Sequence, residues 1–426
     1  MYFLYQMLSW VILPIAVLRV FFRSRMEPSY RKNLSERFGL LRLKNDKSVI
    51  WLHAVSVGEV LACQQLVEHF VSKFDGVNVL ITCTTASGRE AAEKLNSPRV
   101  KVSYLPFDIK PFISTFIRNV KPMCLLVMET EIWPTLYKEC SKNAIPIFML
   151  NARLSEKSMQ GYLKFKTLSH QTISHVAGIL AQTDDDASRL RRIGGKEILV
   201  TGNLKFDRRA TSEQLKLGQY FRELFGEKRY VVVAASTRDA EEALIIDSFI
   251  THCSADCLLV LVPRHARRFP IVMELIESRG LKAVKRSHEE LVPEDCRFVL
   301  GDSMGEMYSY YACSDVVIMG GSFVSLGGQN PLEALSIGRY VITGPHTFNF
   351  SEIVAKGVAA GVICAVKSSN AAMSSVNDLL ADPDRTHIKK DEAIQFVNAN
   401  VGALQKTISY LESKQKNWRT EYPPST

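Results

Sequence analysis

Short apolar runs with helical stretches between them constrain this chain more than any other feature. In the first half they are VIWLH (49–53), VNVLITCTT (77–85), VKVSYLP (100–106), MCLLVMET (123–130), IPIFMLNA (145–152), GILAQT (178–183) and ILVTGN (198–203). Amphipathic stretches of ordinary helix length, such as EVLACQQLVEHFVSKF, separate most of them. A strand that is apolar on both faces needs cover on both, and helical crossovers supply it. The pattern therefore predicts a parallel sheet between helix layers. The polar segment LKFDRRATSEQLKLGQYFRELFGEKR (204–229) interrupts the rhythm, which then restarts. The second series is YVVVAAS (230–236), CLLVLVPR (257–264), LKAVKR (281–286), FVLGD (298–302), DVVIMGG (315–321) and YVITGP (340–345). At 426 residues the chain exceeds one ordinary core. We read two doubly wound α/β domains, 23–206 and 230–395, with a linker at 207–229 and a C-terminal helix and tail at 396–426. FVNANVGALQKTISYLE (396–412) is amphipathic and helical throughout. Ligands of open parallel sheets bind at the carboxyl ends of the strands, and two such domains facing a cleft would place the site there.

Residues 1–22, MYFLYQMLSWVILPIAVLRVFF, stand apart. They carry no charge before Arg19, and Arg23, Arg25, Arg31 and Lys32 follow. As a helix, the uncharged run rises roughly 27 Å, close to the ~30 Å hydrocarbon core of a bilayer. The basic flank predicts that the rest of the chain stays cytoplasmic, and no small-residue cleavage site follows. A spanning anchor is the favoured reading. The alternatives are a helix lying in the interface with Arg19 snorkelling, or a buried core helix. The net charge of +9 suits an anionic partner: nucleic acid, a phospholipid surface or a phosphorylated substrate. The nine cysteines are scattered, and the closest pair, Cys253 and Cys257, where a helix runs into an apolar strand, has no second pair to join it. Neither a zinc site nor a disulfide framework is read, so a reducing compartment is expected.

Candidate functional residues lie where strands pass into helices. In WLHAVSVGEV, His53 closes a strand and Ser56-Val57-Gly58-Glu59 fits a capping box, with Glu59 reaching back to the Ser56 amide. Capping explains serine and glutamate. It explains less well a glycine in the first turn, where it costs up to ~1 kcal/mol against alanine. Glu59 is thus a helix cap or a catalytic base. Gly320-Gly321-Ser322 ends a later strand, and Gly327, Gly328, Gln329, Asn330, Pro331, Leu332 and Glu333 follow. Exposed amides there, with Pro331 as first helical residue, make an anion site, and Glu333 suits a ribose hydroxyl pair. A tight turn needing glycine is the alternative. Pro263, Arg264 and His265 fall at another strand end, where Arg264 would grip a phosphate or stack on a base. Arg267 and Arg268 fit a solvated helix start better. GDSMGEM, with Met304, Gly305 and Glu306, and AASTRDAEE, with Ser236 and Thr237, repeat the junction. In the first half, Glu129, Glu131, Trp133, Asn151, Arg153, Ser155, Lys157, Asn203 and Lys205 occupy strand ends or domain exits. Arg153, Lys157 and Lys205 suggest a basic wall for a phosphorylated acceptor. TDDDAS (183–188) is read as an N-cap with acidic first turn rather than a metal site.

In order along the chain, WLHAVSVGEV, METEIWP, NARLSEKS, TGNLKFD, VPRHARRF, GDSMGEM, GGSFVSLGGQNPLEA and GPHTFNF closely resemble the 3-deoxy-D-manno-octulosonic acid (Kdo) transferases of lipopolysaccharide synthesis. The resemblance spans nearly the whole chain. It implies a GT-B glycosyltransferase, with a first domain for a lipid A precursor and a second for the donor CMP-Kdo. Transfer would invert the anomeric centre without metal or other cofactor. Inner-membrane lipid would be the further partner, and nucleic acid would not. By matching motif, Glu59 corresponds to the general base. Pro263, Arg264, Met304, Gly305, Glu306 and Asn330 to Glu333 correspond to the CMP-contacting segments. Ser56, Gly58, Arg153, Lys157, Lys205, Gly327 and Gly328 are candidate acceptor or phosphate contacts. Gln329 departs from the family's pattern, in which histidine is common. The helix dipole should keep Glu59 ionised and weakly basic until burial raises its pKa. Two other classes remain: a tethered nucleotide-binding module without catalysis, and a GT-B transferase using a nucleoside diphosphate sugar.

Overall fold

The computed structural model describes residues 1–25, 28–41, 48–95 and 97–421. It divides into two compact units, Met1–Asp207 with Val401–Thr426, and Arg208–Asn400. The first unit opens with α1 (Tyr2–Arg23) and continues through β1 (Ser48–His53), α2 (Val57–Lys73), β2 (Val77–Cys83), α3 (Ala86–Glu93), β3 (Val100–Tyr104), α4 (Lys110–Val120) and β4 (Pro122–Met128). It goes on with α5 (Pro134–Lys142), β5 (Ile147–Ala152), α6 (Glu156–Lys164), α7 (Lys166–Ile173), β6 (Val176–Ala181), α8 (Asp184–Arg192) and β7 (Ile198–Val200). Every pairing is parallel, in the order β3-β2-β1-β4-β5-β6-β7. Alternate residues of one strand feed opposite cores. Trp51, Leu125 and Val127 lie on one side, with Ile50, Leu52, Leu126 and Met128 on the other. That two-sided burial is why these strands carry unbroken apolar runs.

The second unit holds α9 (Ser212–Phe225), β8 (Tyr230–Thr237), α10 (Glu241–His252), β9 (Cys257–Pro263), α11 (Phe269–Glu277), β10 (Ala283–Lys285), β11 (Phe298–Leu300), α12 (Met307–Cys313) and β12 (Val316–Met319). It ends with α13 (Leu332–Leu335), β13 (Tyr340–Thr343), α14 (Ser351–Ala359), β14 (Ile363–Ala365), α15 (Ser369–Leu380) and α16 (Pro383–Ala399). Its strands are again parallel, in the order β10-β11-β9-β8-β12-β13-β14. β14 was not expected: it lies within the apolar stretch VICAV (362–366), but it is only three residues long and of these only Ile363 is buried. Most of the segment read as a linker is α9. A Thr211–Gln214 capping box starts it, and it buries Phe221, Leu224 and Phe225. Gly218 lets α12 approach, since a Cβ there would meet Ala312 Cβ at 2.4 Å.

The single helix read over 396–412 is two. α16 stops at Ala399, and α17 (Ala403–Glu421) starts after Gly402, whose φ of 108° no helix admits. The Asp207 carboxylate accepts from the Gly402 and Leu404 amides at 2.8 and 3.1 Å. α17 then returns to the first unit and buries Ile408, Leu411 and Trp418 there.

Candidate active site

Each sheet has one place where successive crossovers leave in opposite directions, between β1 and β4 and between β8 and β12. Loops diverge there, and the strand ends open a crevice suited to ligands. The candidate residues gather at these two places.

At the first, Ser56 caps α2, its Oγ accepting from the Glu59 amide at 3.5 Å. Glu59 Oε1 accepts from Ser56 Oγ at 2.9 Å, and Oε2 accepts from the Val55 amide at 2.8 Å. The reciprocal bond thus reaches the Val55 amide, not the Ser56 amide. Glu59 is 8% exposed. Burial, and then the negative charge of Glu129, raise its pKa to about 7, against the lowering by the Val55 and Ser56 bonds. Desolvation outweighs the helix dipole, so Glu59 is already a stronger base than its first-turn position implied. Gly58 is exposed, and a Cβ there would meet nothing nearer than Ser56 Oγ at 3.9 Å. No protein atom therefore requires glycine at this position.

Glu129, beyond β4, has φ 57°, a left-handed conformation costing a non-glycine residue about 1 kcal/mol or more. Lys205 Nζ holds its Oε1 at 3.0 Å. Glu131 accepts from Trp133 Nε1 at 3.0 Å, and burial raises its pKa. Asn151, at the end of β5, is also left-handed (φ 53°), and its Oδ1 accepts from the Leu204 amide at 3.0 Å. Thr130 Oγ1 donates to the Arg153 carbonyl at 2.6 Å. Glu59, Glu129, Glu131, Lys205, Asn151 and Arg153 thus share the strand ends. Lys157 is exposed on α6, which Ser155 caps. His53 is fully buried. Its Nδ1 lies 2.9 Å from the Thr82 carbonyl, and burial lowers its pKa to about 4, so it stays neutral. Asp186 accepts from Thr183 Oγ1 and from the Leu154 amide, so that acidic run serves the start of α8.

At the second place, Gly320 follows β12. A Cβ there would meet the Ser236 and Ala235 carbonyls at 2.6 and 2.7 Å, so only glycine lets the loops after β8 and β12 touch. Ser236 is left-handed (φ 56°). The fully buried Glu241 clamps both loops. It accepts from the Arg238 amide at 2.7 Å, the Gly321 amide at 2.5 Å and the Phe323 amide at 3.3 Å. Arg238 lies against His265 Nε2 at 2.5 Å. A Cβ on Gly321 would meet Gln329 Nε2 at 3.2 Å and Arg238 Cγ at 3.6 Å, so position 329 belongs to this cluster. Gly327 and Gly328 are left-handed and buried, with the Gly328 amide donating to the Gly321 carbonyl at 2.8 Å.

Three expectations change here. α13 spans only Leu332–Leu335, with Pro331 as its cap rather than its first residue. So short a helix adds little dipole, and loop amides must carry any anion. Glu333 is engaged by Arg208, which also lies over the Tyr308 ring at 5.6 Å. Arg268 is not a solvated charge: it pairs with Glu242 at 2.6 Å and Asp239 at 2.9 Å. Arg264 is exposed, its amide donating to the Thr237 carbonyl at 2.9 Å, next to Pro263 at the end of β9. Met304 and Gly305 are exposed beyond β11, and a Cβ on Gly305 would meet open space. Glu306 is held by Arg286 at 2.9 Å. Glu241 and Arg238 carried no signal that marked them in the sequence. Arg238 and Glu241 both lie inside AASTRDAEE, where only Ser236 and Thr237 had been singled out.

Residues 32–208 match the family model for 3-Deoxy-D-manno-octulosonic-acid transferase (kdotransferase), and residues 277–396 match that for Glycosyl transferases group 1. The chain is 35% identical over 374 residues to a 3-deoxy-D-manno-octulosonic acid transferase of Bordetella pertussis, covering 85% of this chain and 86% of that protein. It is 34% identical over 417 residues to the protein of the same description from Haemophilus influenzae, covering 96% and 98%. A solved UDP-GlcNAc 2-epimerase from Neisseria meningitidis aligns with TM-score 0.58 and 15% identity over 86% of this chain and all of its own, a likeness of fold. Matched nearly end to end at this identity, and built of two doubly wound units, the chain belongs to the Kdo transferase family, glycosyltransferases of GT-B architecture.

Proposed function

We propose that this chain transfers Kdo from CMP-Kdo to a phosphorylated lipid A precursor, with inversion, on the cytoplasmic side of the inner membrane. The observation that carries the reading is Glu59. It is a buried carboxylate at the β1/β4 divergence, with its pKa raised to about 7. A general base works best with a pKa near the working pH. Glu59 takes the proton of the acceptor hydroxyl as that oxygen bonds to the anomeric carbon. The bond from that carbon to the phosphate oxygen breaks, and CMP leaves with the electron pair. Attack opposite the leaving group inverts the centre.

On the second unit, Pro263, Arg264, Met304, Gly305, Glu306 and the segment Asn330, Pro331, Leu332 and Glu333 hold the cytidylate, with Arg208 fixing the Glu333 carboxylate. One phosphodiester carries a single negative charge. Arg264 and the amides near Gly327 and Gly328 balance it without a divalent cation. Ser56, Gly58, Arg153, Lys157 and Lys205 face the acceptor's phosphates and sugar. The apolar α1 and the net charge of +9 suit an enzyme whose acceptor lies in a membrane.

The test is release of CMP from CMP-Kdo with lipid A precursor, in chelator and in its absence. Equal rates are expected. A rate that collapses in chelator removes the charge reasoning. Competition between CMP and UDP for the second unit checks the donor class, with CMP expected to win. No release of CMP reduces the chain to a nucleotide binder, and release of CMP with free Kdo in place of lipid product refutes transfer.

A further inference from the structure

α1 is held near its start by the first unit and near its end by the segment that follows it. Near its start, Tyr5 OH donates to Asp108 Oδ2 at 2.7 Å, the Lys110 amide donates to Gln6 Oε1 at 3.2 Å, and Gln6 reaches Thr135 Oγ1. Lys138 Nζ lies 3.5 Å from the centre of the Tyr2 ring, and Trp10 packs on Phe112 with centroids 5.7 Å apart. Asp108 is firmly placed, since it also accepts from the Thr135 and Leu136 amides at 3.0 and 2.7 Å, in the first turn of α5. At the other end Arg23 reaches Tyr30 OH at 3.4 Å. Between these ends, half-buried positions recur at helical spacing, from Tyr2, Tyr5 and Ser9 to Leu13, Val17 and Val20. The opposite face is apolar and open: Phe3 is 76% exposed, Leu4 62%, Val11 70%, Ile15 65% and Phe22 60%.

These contacts conflict with a helix that crosses a bilayer. Tyr5 and Arg23 are separated along the axis by about 27 Å, nearly the hydrocarbon thickness. A crossing α1 would carry Asp108 and the start of α5 to the far leaflet, through a region where unpaired polar groups cost several kcal/mol each. We propose that α1 lies flat in the cytoplasmic face of an anionic bilayer. This rests on the reading of the chain as a membrane-bound transferase. The outward stripe sinks about 5–10 Å among headgroups and acyl chains. Arg19, Arg25 and Arg31 at one end, and Lys110 and Lys138 at the other, then meet acidic headgroups together. A flat helix fixed at both ends holds the first unit at one height above the lipid, as a single terminal tether cannot.

The experiment uses the full chain in vesicles of phosphatidylethanolamine and phosphatidylglycerol. Cys364, the cysteine that is not fully buried, is replaced by serine. Single spin-labelled cysteines then replace Phe3, Leu8, Val11, Ile15 or Phe22, and their depth is read by collision with oxygen and a nickel chelate. Nearly equal, shallow depths from Phe3 to Phe22 are expected. A single deep maximum near Val11, falling towards both ends, overturns the flat orientation and leaves membrane binding intact. Water-like values at every position overturn membrane binding itself. Protection that vanishes on dilution marks a second copy as the occupant and also overturns the proposal. As an independent measure, the pair Trp10→Cys and Phe112→Cys is oxidised in the same vesicles. A disulfide is expected, and its absence counts against the docked helix.

Discussion

Replacing Glu59 by glutamine removes the charge and keeps the shape. The Glu59 carboxyl has a pKa of about 7 in the fold against an ordinary 4.5, chiefly because it is buried. At about 1.4 kcal/mol per pH unit, holding it ionised costs the fold about 3 kcal/mol. The sign follows from a raised acid. Between pH 4.5 and about 7 the folded chain keeps a proton that the unfolded chain has released. This contribution to stability is therefore full below pH 4.5, is lost as pH rises to about 7, and stays lost above. Glutamine does not titrate. The Glu59→Gln variant should match the parent near pH 5 and exceed it by about 1–3 kcal/mol at pH 8, measured by urea unfolding in detergent. Its turnover should fall about 10²–10⁴-fold with CMP binding unchanged. Parent turnover should rise through pH 7 and level off. A stability gap equal at both pH values refutes the burial reasoning. Parent-like turnover in the variant refutes the base and leaves Glu59 as a helix cap only.

Two further perturbations probe the two strand-divergence points separately. Glu129→Gln removes the negative charge that helps raise the Glu59 pKa, so the rising limb of the pH–activity profile should move to lower pH. An unmoved limb would show that Glu129 is screened from Glu59. Gly320→Ala places a methyl 2.6 Å from the Ser236 carbonyl. Loss of about 1–3 kcal/mol from the second unit is expected. CMP affinity, read by calorimetry, should weaken while hydrogen exchange in the first unit stays as it was. Full CMP affinity would remove the loop contact after β8 and β12 from the donor site.

Some of this molecule is written in local pattern. The strands β1, β2, β4 to β6, β8 and β9 carry apolar runs long enough to be seen. β14 has its own run, VICAV (362–366), but is three residues long at the edge of the sheet, beside β13, with one residue buried. α9 was hidden for a different reason. Its polar face dominates its composition, and its buried residues Phe221, Leu224 and Phe225 gain meaning only against a packed neighbour. The break at Gly402 escaped notice because amphipathic periodicity continues across it.

The site divides along the same line. Residue type and position at a strand end mark Glu59, Arg264 and the glycines of GGSFVSLGG as candidates, because exposed strand ends, caps and glycine turns have local signatures. What those residues are charged with is decided by contacts distant in sequence. Glu129, seventy residues on, raises the Glu59 pKa. Arg208 engages Glu333 across 125 positions, and Glu241 binds the Gly321 amide across 80. The sequence alone determined two doubly wound domains, an apolar N-terminal helix and the junctions where chemistry can occur, since these follow from periodicity. Tertiary structure alone decided that the Glu59 carboxyl has its pKa raised to about 7 and that α1 has one face against protein and one open. Burial and charge proximity are properties of the folded neighbourhood, not of any segment within it.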